Sequence, residues 1–300
     1  MERFTKILVG LDVTPDGQAV SQGSRRAASQ AQWLAERSGA ALTFLHASWA
    51  DAHEEHGHLL PGLGVEGERA LERFADEYRR PGTQVELEIV EERPWIELSR
   101  RAARGAADLV FVGRRNQAGD HPFGSTAKKL IRKCPVPVWV VKPDAEILQR
   151  VVLAATDLSA VGDRAIELGA YVARTQEAAL HVVHAWQLPM SLQLSHGRER
   201  DEDFEEALES IGREASKRIH ATLARIAAGL EPHVHAACDS PSRLIREAVI
   251  RLGVDLLVMG TLSRSGVPGL LMGNTAERIL AKVDCSVLAI KPEGFVSPVT

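Results

Sequence analysis

The segment Ile7-Leu-Val-Gly-Leu-Asp12 is an apolar run that ends in an aspartate, and it recurs 145 residues later as Val152-Leu-Ala-Ala-Thr-Asp157. Three more segments recur in the same order, at offsets of 147 to 149 residues: Ala107–Gly113 as Val254–Gly260, Gly124–Ala127 as Gly273–Ala276, and Pro137–Pro143 as Ser286–Pro292. A constant offset is the signature of a duplicated structural unit. The sequence therefore predicts two copies of one domain, spanning residues 1–144 and 150–293.

Each copy alternates apolar runs with segments in which apolar residues recur three and four positions apart. The runs predict strands and the spaced segments predict helices. Strands that alternate with helices form right-handed crossovers and a parallel sheet covered on both faces. The predicted fold class is α/β, with two tandem, open, mostly parallel five-stranded sheets flanked by helices.

The fifth strand of each copy, Pro137–Lys142 and Ser286–Lys291, is apolar. An exposed apolar edge strand invites aggregation. We therefore expect the two strands to pair within one chain, so that the copies form an intrachain pseudo-dimer about a pseudo-two-fold axis. A homodimer of the whole chain is a further option.

Composition excludes several classes of protein. The 300 residues include 36 basic and 40 acidic residues, a net charge of −4 that argues against broad nucleic-acid binding. The first residues lack the apolar region of a signal peptide, and no run approaches the roughly 18 apolar residues of a membrane span. The 3 cysteines form no CxxC pair. These features predict a protein of the reducing cytoplasm.

The turn after the fourth strand of the second copy is the best candidate for a binding site. Ser263 follows Gly260 after two residues, and nine residues later Gly273-Asn274-Thr275 opens a helix. Helix N-termini bind phosphate groups, and glycine lets an anion approach the backbone. Arg264 could neutralise phosphate charge, and Asp157 could hold a cation or polar ligand groups.

These segments, with Thr156-Asp157 and the closing Val-Leu-Ala-Ile-Lys-Pro, resemble the universal stress protein family, and most closely its tandem, E-type members. The resemblance implies the fold of adenine nucleotide α-hydrolases. ATP-binding members carry Gly, two residues, Gly, nine residues, Gly and then Ser or Thr. This sequence keeps the spacing but has Ser263 for the second Gly and Asn274 in the Ser/Thr position.

Transferred to this sequence, the resemblance implies a site for ATP, with or without Mg²⁺, in the second copy. Its adenine and ribose contacts would be Ala155, Thr156, Asp157, Ala185 and Met259, and its phosphate contacts Gly260, Gly273, Asn274 and Thr275. In the first copy Asn116 replaces the second Gly, and only seven residues separate it from Gly124. We expect that copy to have lost or altered nucleotide binding.

Simpler explanations exist for several of these residues. Glycine and Asn/Thr at a helix start are also ordinary capping residues. The run Asp51–His58 is rich in metal ligands, but a polar loop is the expectation there, and no metal site is predicted. His46 and His184 end the two second strands, which favours a structural role over catalysis.

No catalytic residues are predicted, because the chain has neither a GxSxG nucleophile elbow nor a GxxxxGK[ST] phosphate loop. Slow ATP hydrolysis is the most that the resemblance allows. Two functions stay open: a nucleotide-binding stress regulator or adaptor, and a scaffold for an apolar or lipid-like ligand. The second rests on the apolar segment Gln187–Ser195, which could line a pocket.

Overall fold

The computed structural model describes residues 4–48, 63–80, 83–114, 123–187, 202–261 and 273–299. The chain divides into two compact units. The first contains Met1–Leu148, Thr261–Met272 and Asp284–Thr300, and the second contains Gln149–Gly260 and Gly273–Val283. Within the described ranges, no helix is long and apolar enough to cross a membrane.

The described residues of the first unit form six strands of a sheet, with helices between them. Its elements are β1 (Lys6–Leu11), α1 (Gln22–Ser38), β2 (Ala41–Ser48), α2 (Val65–Tyr78), β3 (Val85–Glu91), α3 (Pro94–Ala103), β4 (Leu109–Gly113), α4 (Ser125–Lys133), β5 (Val138–Val141) and β10 (Ser286–Ile290). The strand order is β3-β2-β1-β4-β5-β10. All pairings from β3 to β5 are parallel, as the crossover helices require.

The second unit repeats this order of elements. It contains β6 (Val151–Ala155), α5 (Ala160–Gln176), β7 (Ala179–Trp186), α6 (Glu202–Ile226), β8 (His233–Cys238), α7 (Pro241–Leu252), β9 (Leu256–Gly260) and α8 (Asn274–Leu280). Its strands run in the order β9-β6-β7-β8 and are all parallel. The predicted alternation of strands and helices is confirmed in this copy.

The last strand of the second repeat lies in the first unit. β10 pairs antiparallel with β5, with Leu288 opposite Trp139 and Val287 opposite Val140. All residues of both strands are buried. The predicted pairing of the two fifth strands within one chain is therefore confirmed. Trp139 also stacks on Phe111 of β4, with ring centroids 4.9 Å apart, so this pairing is part of the first unit's core.

The aspartate shared by the segments before β4 and β9 has the same structural role in both units. Asp108 accepts a hydrogen bond from the backbone N–H of Thr5 at 2.7 Å, just before β1. Asp255 accepts one from the N–H of Arg150 at 2.7 Å, just before β6. Each carboxylate thus ties the starts of two neighbouring parallel strands together, which explains why this residue recurs in the sequence.

Candidate functional site

The candidate site lies at the carboxyl end of β6, where the strand order of the second unit reverses. β6 has β7 on one side and β9 on the other, and Ala155 is paired with both Val183 and Met259. Open parallel sheets bind ligands in the crevice that such a reversal creates. Of the predicted adenine contacts, Ala155 and Ala185 are half-buried and Met259 is buried, and all three lie toward the carboxyl ends of their strands.

The loop after β6 is held by its own side chains. The buried Thr156 accepts a hydrogen bond at its Oγ1 from the N–H of Leu158, at 3.0 Å. The Asp157 carboxylate accepts hydrogen bonds from both the hydroxyl and the N–H of Ser159. Ser159 also caps α5 by accepting from the N–H of Gly162. These bonds fix the orientation of the Asp157 carboxylate at the edge of the crevice.

A buried histidine braces this loop in each unit. His184 Nδ1 lies 2.9 Å from the carbonyl oxygen of Thr156, and His46 Nδ1 lies 3.0 Å from that of Leu11. A carbonyl only accepts, so each Nδ1 carries a proton and donates. Burial lowers the pKa of His46, which favours its neutral form. The predicted structural role of both histidines is confirmed.

The N-terminus of α5 packs tightly beneath the crevice. A Cβ on Gly162 would lie 2.5 Å from Thr156 Oγ1 and 2.9 Å from Asp157 Oδ1, so only glycine allows this approach. Gly260 faces the side chain of Val161, which a Cβ would meet at 3.1 Å. The ends of β6 and β9 are thereby fixed relative to α5.

The predicted phosphate contacts are partly described. Gly273 is buried at the start of α8, and no side chain caps this helix. Asn274 and Thr275 are exposed in its first turn. Ser263 and Arg264 lie outside the described residues. The structure thus brings Ala155 and Met259 together at one end of the sheet. Thr156 and Asp157 follow β6 at that end, and Ala185 lies near the same end of β7.

The sequence pattern of the Universal stress protein family matches residues 3–142 and again residues 149–291. The chain belongs to the universal stress protein family. It is 26% identical over 320 residues to Universal stress protein E of Photorhabdus laumondii. The aligned region covers 100% of this chain and 98% of that protein. This membership places the protein in the stress response.

Solved structures show the same fold. Protein PA1789 of Pseudomonas aeruginosa PAO1, of unknown function, has a TM-score of 0.71 and 22% identity, covering 97% of this chain and 94% of its own. A universal stress protein of Archaeoglobus fulgidus has a TM-score of 0.65 and 19% identity, covering 95% and 98% of the two chains. Both similarities extend over the two tandem copies, as expected for a tandem family member.

The first unit differs from the second at the end of its fourth strand, β4. The backbone of Gly23, in the first turn of α1, packs directly on Gly113 at the end of β4, and a Cβ on either residue would collide with the backbone of the opposite segment. The buried Arg114 follows, and its guanidinium pairs with Asp284 at 2.7 Å and lies 5.8 Å from the Phe123 ring centroid. An arginine and a backbone contact therefore occupy the space at the end of β4.

A cavity of about 650 Å³ that is largely open to solvent lies beside α6. It is lined by α6 residues, by Trp186 at the end of β7 and by the segment from Pro232 to Ala236. Trp186 packs against α6 where Gly212 has no side chain. The segment Gln187–Ser195, which we expected to line a pocket, begins next to Trp186, but residues 188–195 lie outside the described residues.

Metal-binding residues do not converge in the described ranges, where no group of three or more His, Cys, Asp or Glu side chains could hold an ion. The run Asp51–His58 lies outside those ranges. One cluster of histidines was not predicted from the sequence: His181 on β7 lies against His233 and His235 on β8. The spacing of His233 and His235, two apart in a strand, was the available signal, because such residues share one face.

Proposed function

We propose that the second unit binds an adenine nucleotide, ATP, and that its occupancy lets the protein act as a cytoplasmic stress regulator or adaptor. The observation that supports this proposal is the reversal of strand order at β6, which gathers Ala155, Thr156, Asp157 and Met259 at one end of the sheet. The fit is chemically consistent. Small apolar residues suit a purine ring, and a fixed carboxylate suits ribose hydroxyls or Mg²⁺.

In this proposal the phosphates lie at the start of α8. Gly273, which has no side chain, would let an anion approach the backbone N–H groups, and the exposed side chains of Asn274 and Thr275 would add hydrogen bonds. Ser263 and Arg264 would complete the phosphate contacts from the preceding loop. The bound ATP supplies charge and shape for recognition by a partner, and we assign no catalytic residue.

We predict that ATP binds once per chain and that Gly273→Val weakens this binding more than tenfold. The branched side chain would block the approach of phosphate to the backbone, and a lost charge-assisted hydrogen bond costs about 1.5–3 kcal/mol. Gly124→Val is the matched control in the first unit, where a Cβ would meet nothing within 4 Å. We expect this control to leave the affinity unchanged.

Isothermal titration calorimetry of the parent chain and both variants measures stoichiometry and affinity together. Two sites per chain, or a larger loss from Gly124→Val than from Gly273→Val, would contradict the assignment to the second unit. A parent chain that does not bind ATP would overturn the nucleotide proposal itself.

The second candidate function is a scaffold for an apolar or lipid-like ligand, and the cavity beside α6 favours it. Its volume is about 650 Å³, and Trp186, Val234 and Ala236 supply apolar surface beside polar lining residues such as Arg213 and His220. Native mass spectrometry of gently purified protein would show a retained ligand directly. A bound lipid that ATP does not displace would support this candidate, and a ligand-free spectrum would oppose it.

A further inference from the structure

Three histidines lie on one face of the outermost strand pair of the second unit. His181 on β7 is in register with His233 on β8, and His235 follows two residues later. The ring centroid of His181 lies 4.9 Å from that of His233 and 5.2 Å from that of His235, and the His181 ring stacks on both. Among the described strands of the second unit, β8 pairs with β7 alone, so these side chains lie at the edge of the sheet.

One hydrogen bond connects this cluster to α7, a second lies within the cluster, and both have a defined direction. The Arg251 guanidinium lies 3.4 Å from His235 Nδ1, and His235 Nε2 lies 2.9 Å from His181 Nδ1. Arginine can only donate, so His235 Nδ1 accepts and the proton of this neutral imidazole is on Nε2. His235 then donates to His181 Nδ1, which leaves the proton of His181 on Nε2. We call Arg251, His235 and His181 the histidine chain.

The charges that act on His181 and His235 come from basic residues. Burial is the main cause that lowers the pKa of both His181 and His235, and Arg251 and His233 lower both further. On the α6 side, the residues that share the cavity wall with β8 are Arg213, which is paired with Glu209, and His220, whose Nδ1 bonds to the Ser216 carbonyl. A proton added to His181 or His235 would therefore be repelled by neighbouring positive charge.

We propose that the histidine chain is a proton-sensitive latch that holds the edge strand β8 on the sheet at neutral pH and releases it in mild acid. Protonation of His235 at Nδ1 would face the donor of Arg251. Protonation of His181 at Nδ1 would face the donor of His235. Either event breaks a hydrogen bond and adds a cation beside Arg251. Because β8 forms a wall of the cavity beside α6, its release would also open that cavity.

The direction of the effect follows from the lowered pKa values. A released histidine has its ordinary pKa of 6.5, so the open form binds more protons than the closed form once the pH falls below that value. The stability of the closed form relative to the open form is greatest above about pH 6.5, and it decreases as the pH falls toward the lowered pKa values. One pH unit below 6.5, each histidine can increase the open population about tenfold.

Hydrogen exchange with mass spectrometry tests this on the full chain. After correction for intrinsic exchange rates, we expect opening of the β8 amides to increase at least tenfold between about pH 7.5 and about pH 5.5, while β9 amides serve as the internal reference. The double variant His181→Gln, His235→Gln should lose this increase. His220→Gln, which removes a histidine of α6 outside the chain, should keep it.

A second variant guards against misfolding of the double variant. Arg251→Gln retains a donor for His235 but removes the charge, so the increase in β8 opening should become smaller. The proposal is wrong if β8 opening in the parent chain changes less than about twofold, or if the double variant opens as much as the parent. It does not depend on ATP binding, which can be absent without affecting this result.

Discussion

The variant Gly113→Ala should unfold with a free energy about 3 kcal/mol or more below that of the parent chain. A Cβ on Gly113 would overlap the carbonyl group of Gly23, far inside the 3.0 Å that real Cβ atoms keep from their neighbours. Both partners are backbone, at the end of β4 and in the first turn of α1, so no side chain can rotate away. Relief requires α1 to move off the sheet that it covers.

Gly260→Ala is the matched control, because Gly260 ends the equivalent strand β9. There a new Cβ would meet only the methyl groups of Val161, at 3.1 and 3.2 Å, and these can shift slightly. We expect a loss of about 1 kcal/mol or less for this variant. Urea unfolding followed by circular dichroism compares the two. Equal losses would show that the backbone contact at Gly113 has no special importance.

A second large effect concerns Lys291, a lysine buried in the first unit. Its Nζ donates to Thr261 Oγ1 at 2.7 Å and to the carbonyl oxygen of Ile131, and burial lowers its pKa to about 7. The folded chain therefore holds fewer protons than the unfolded chain between about pH 7 and 10.5, and the free energy of unfolding should rise with pH in that window. The upper limit is about 1.4 kcal/mol per pH unit.

Lys291→Met should remove this rise, so that the parent chain gains stability relative to the variant as the pH increases from about 7 to 9. Lys142→Met is the control, since Lys142 occupies the same position in the first repeat. Burial alone would lower the pKa of Lys142, but the carboxylates of Asp284 and Asp144 raise it above its ordinary value. The contribution of Lys142 to the free energy of unfolding should therefore stay constant over this range. Urea unfolding at several pH values measures this difference. If the free energies of unfolding of the parent and of Lys291→Met change in parallel with pH, the assigned role of Lys291 is wrong.

The two repeats thus keep the same framework but use matching positions differently. Asp108 and Asp255, and likewise His46 and His184, make equivalent hydrogen bonds in the two units. The residue after the fourth strand differs: Arg114 pairs with Asp284, whereas Thr261 accepts from Lys291. The two copies therefore differ at the strand end where the binding site of the second copy is proposed.

Local and repeated features of the fold could be predicted from the sequence. The alternation of strands and helices, the tandem repeat, the family and the bracing role of His46 and His184 depend on periodicity and on residues that recur at fixed offsets. The same reasoning gathered Ala155, Thr156, Asp157 and Met259 at one sheet end, because parallel strands place their carboxyl ends together. The roles of Ser263 and Arg264 in the site remain a prediction.

Other features were decided only by tertiary structure. The placement of β10 in the first unit depends on its hydrogen bonds with β5, and sequence order does not fix which compact unit this strand joins. The contact of Gly23 with Gly113 depends on how closely α1 approaches β4. His181, His235 and Arg251 are distant in the chain, and their hydrogen bonds require the register of β7 with β8 and the docking of α7. Propensity and periodicity act over a few residues, whereas these contacts are fixed by packing between segments that the sequence separates.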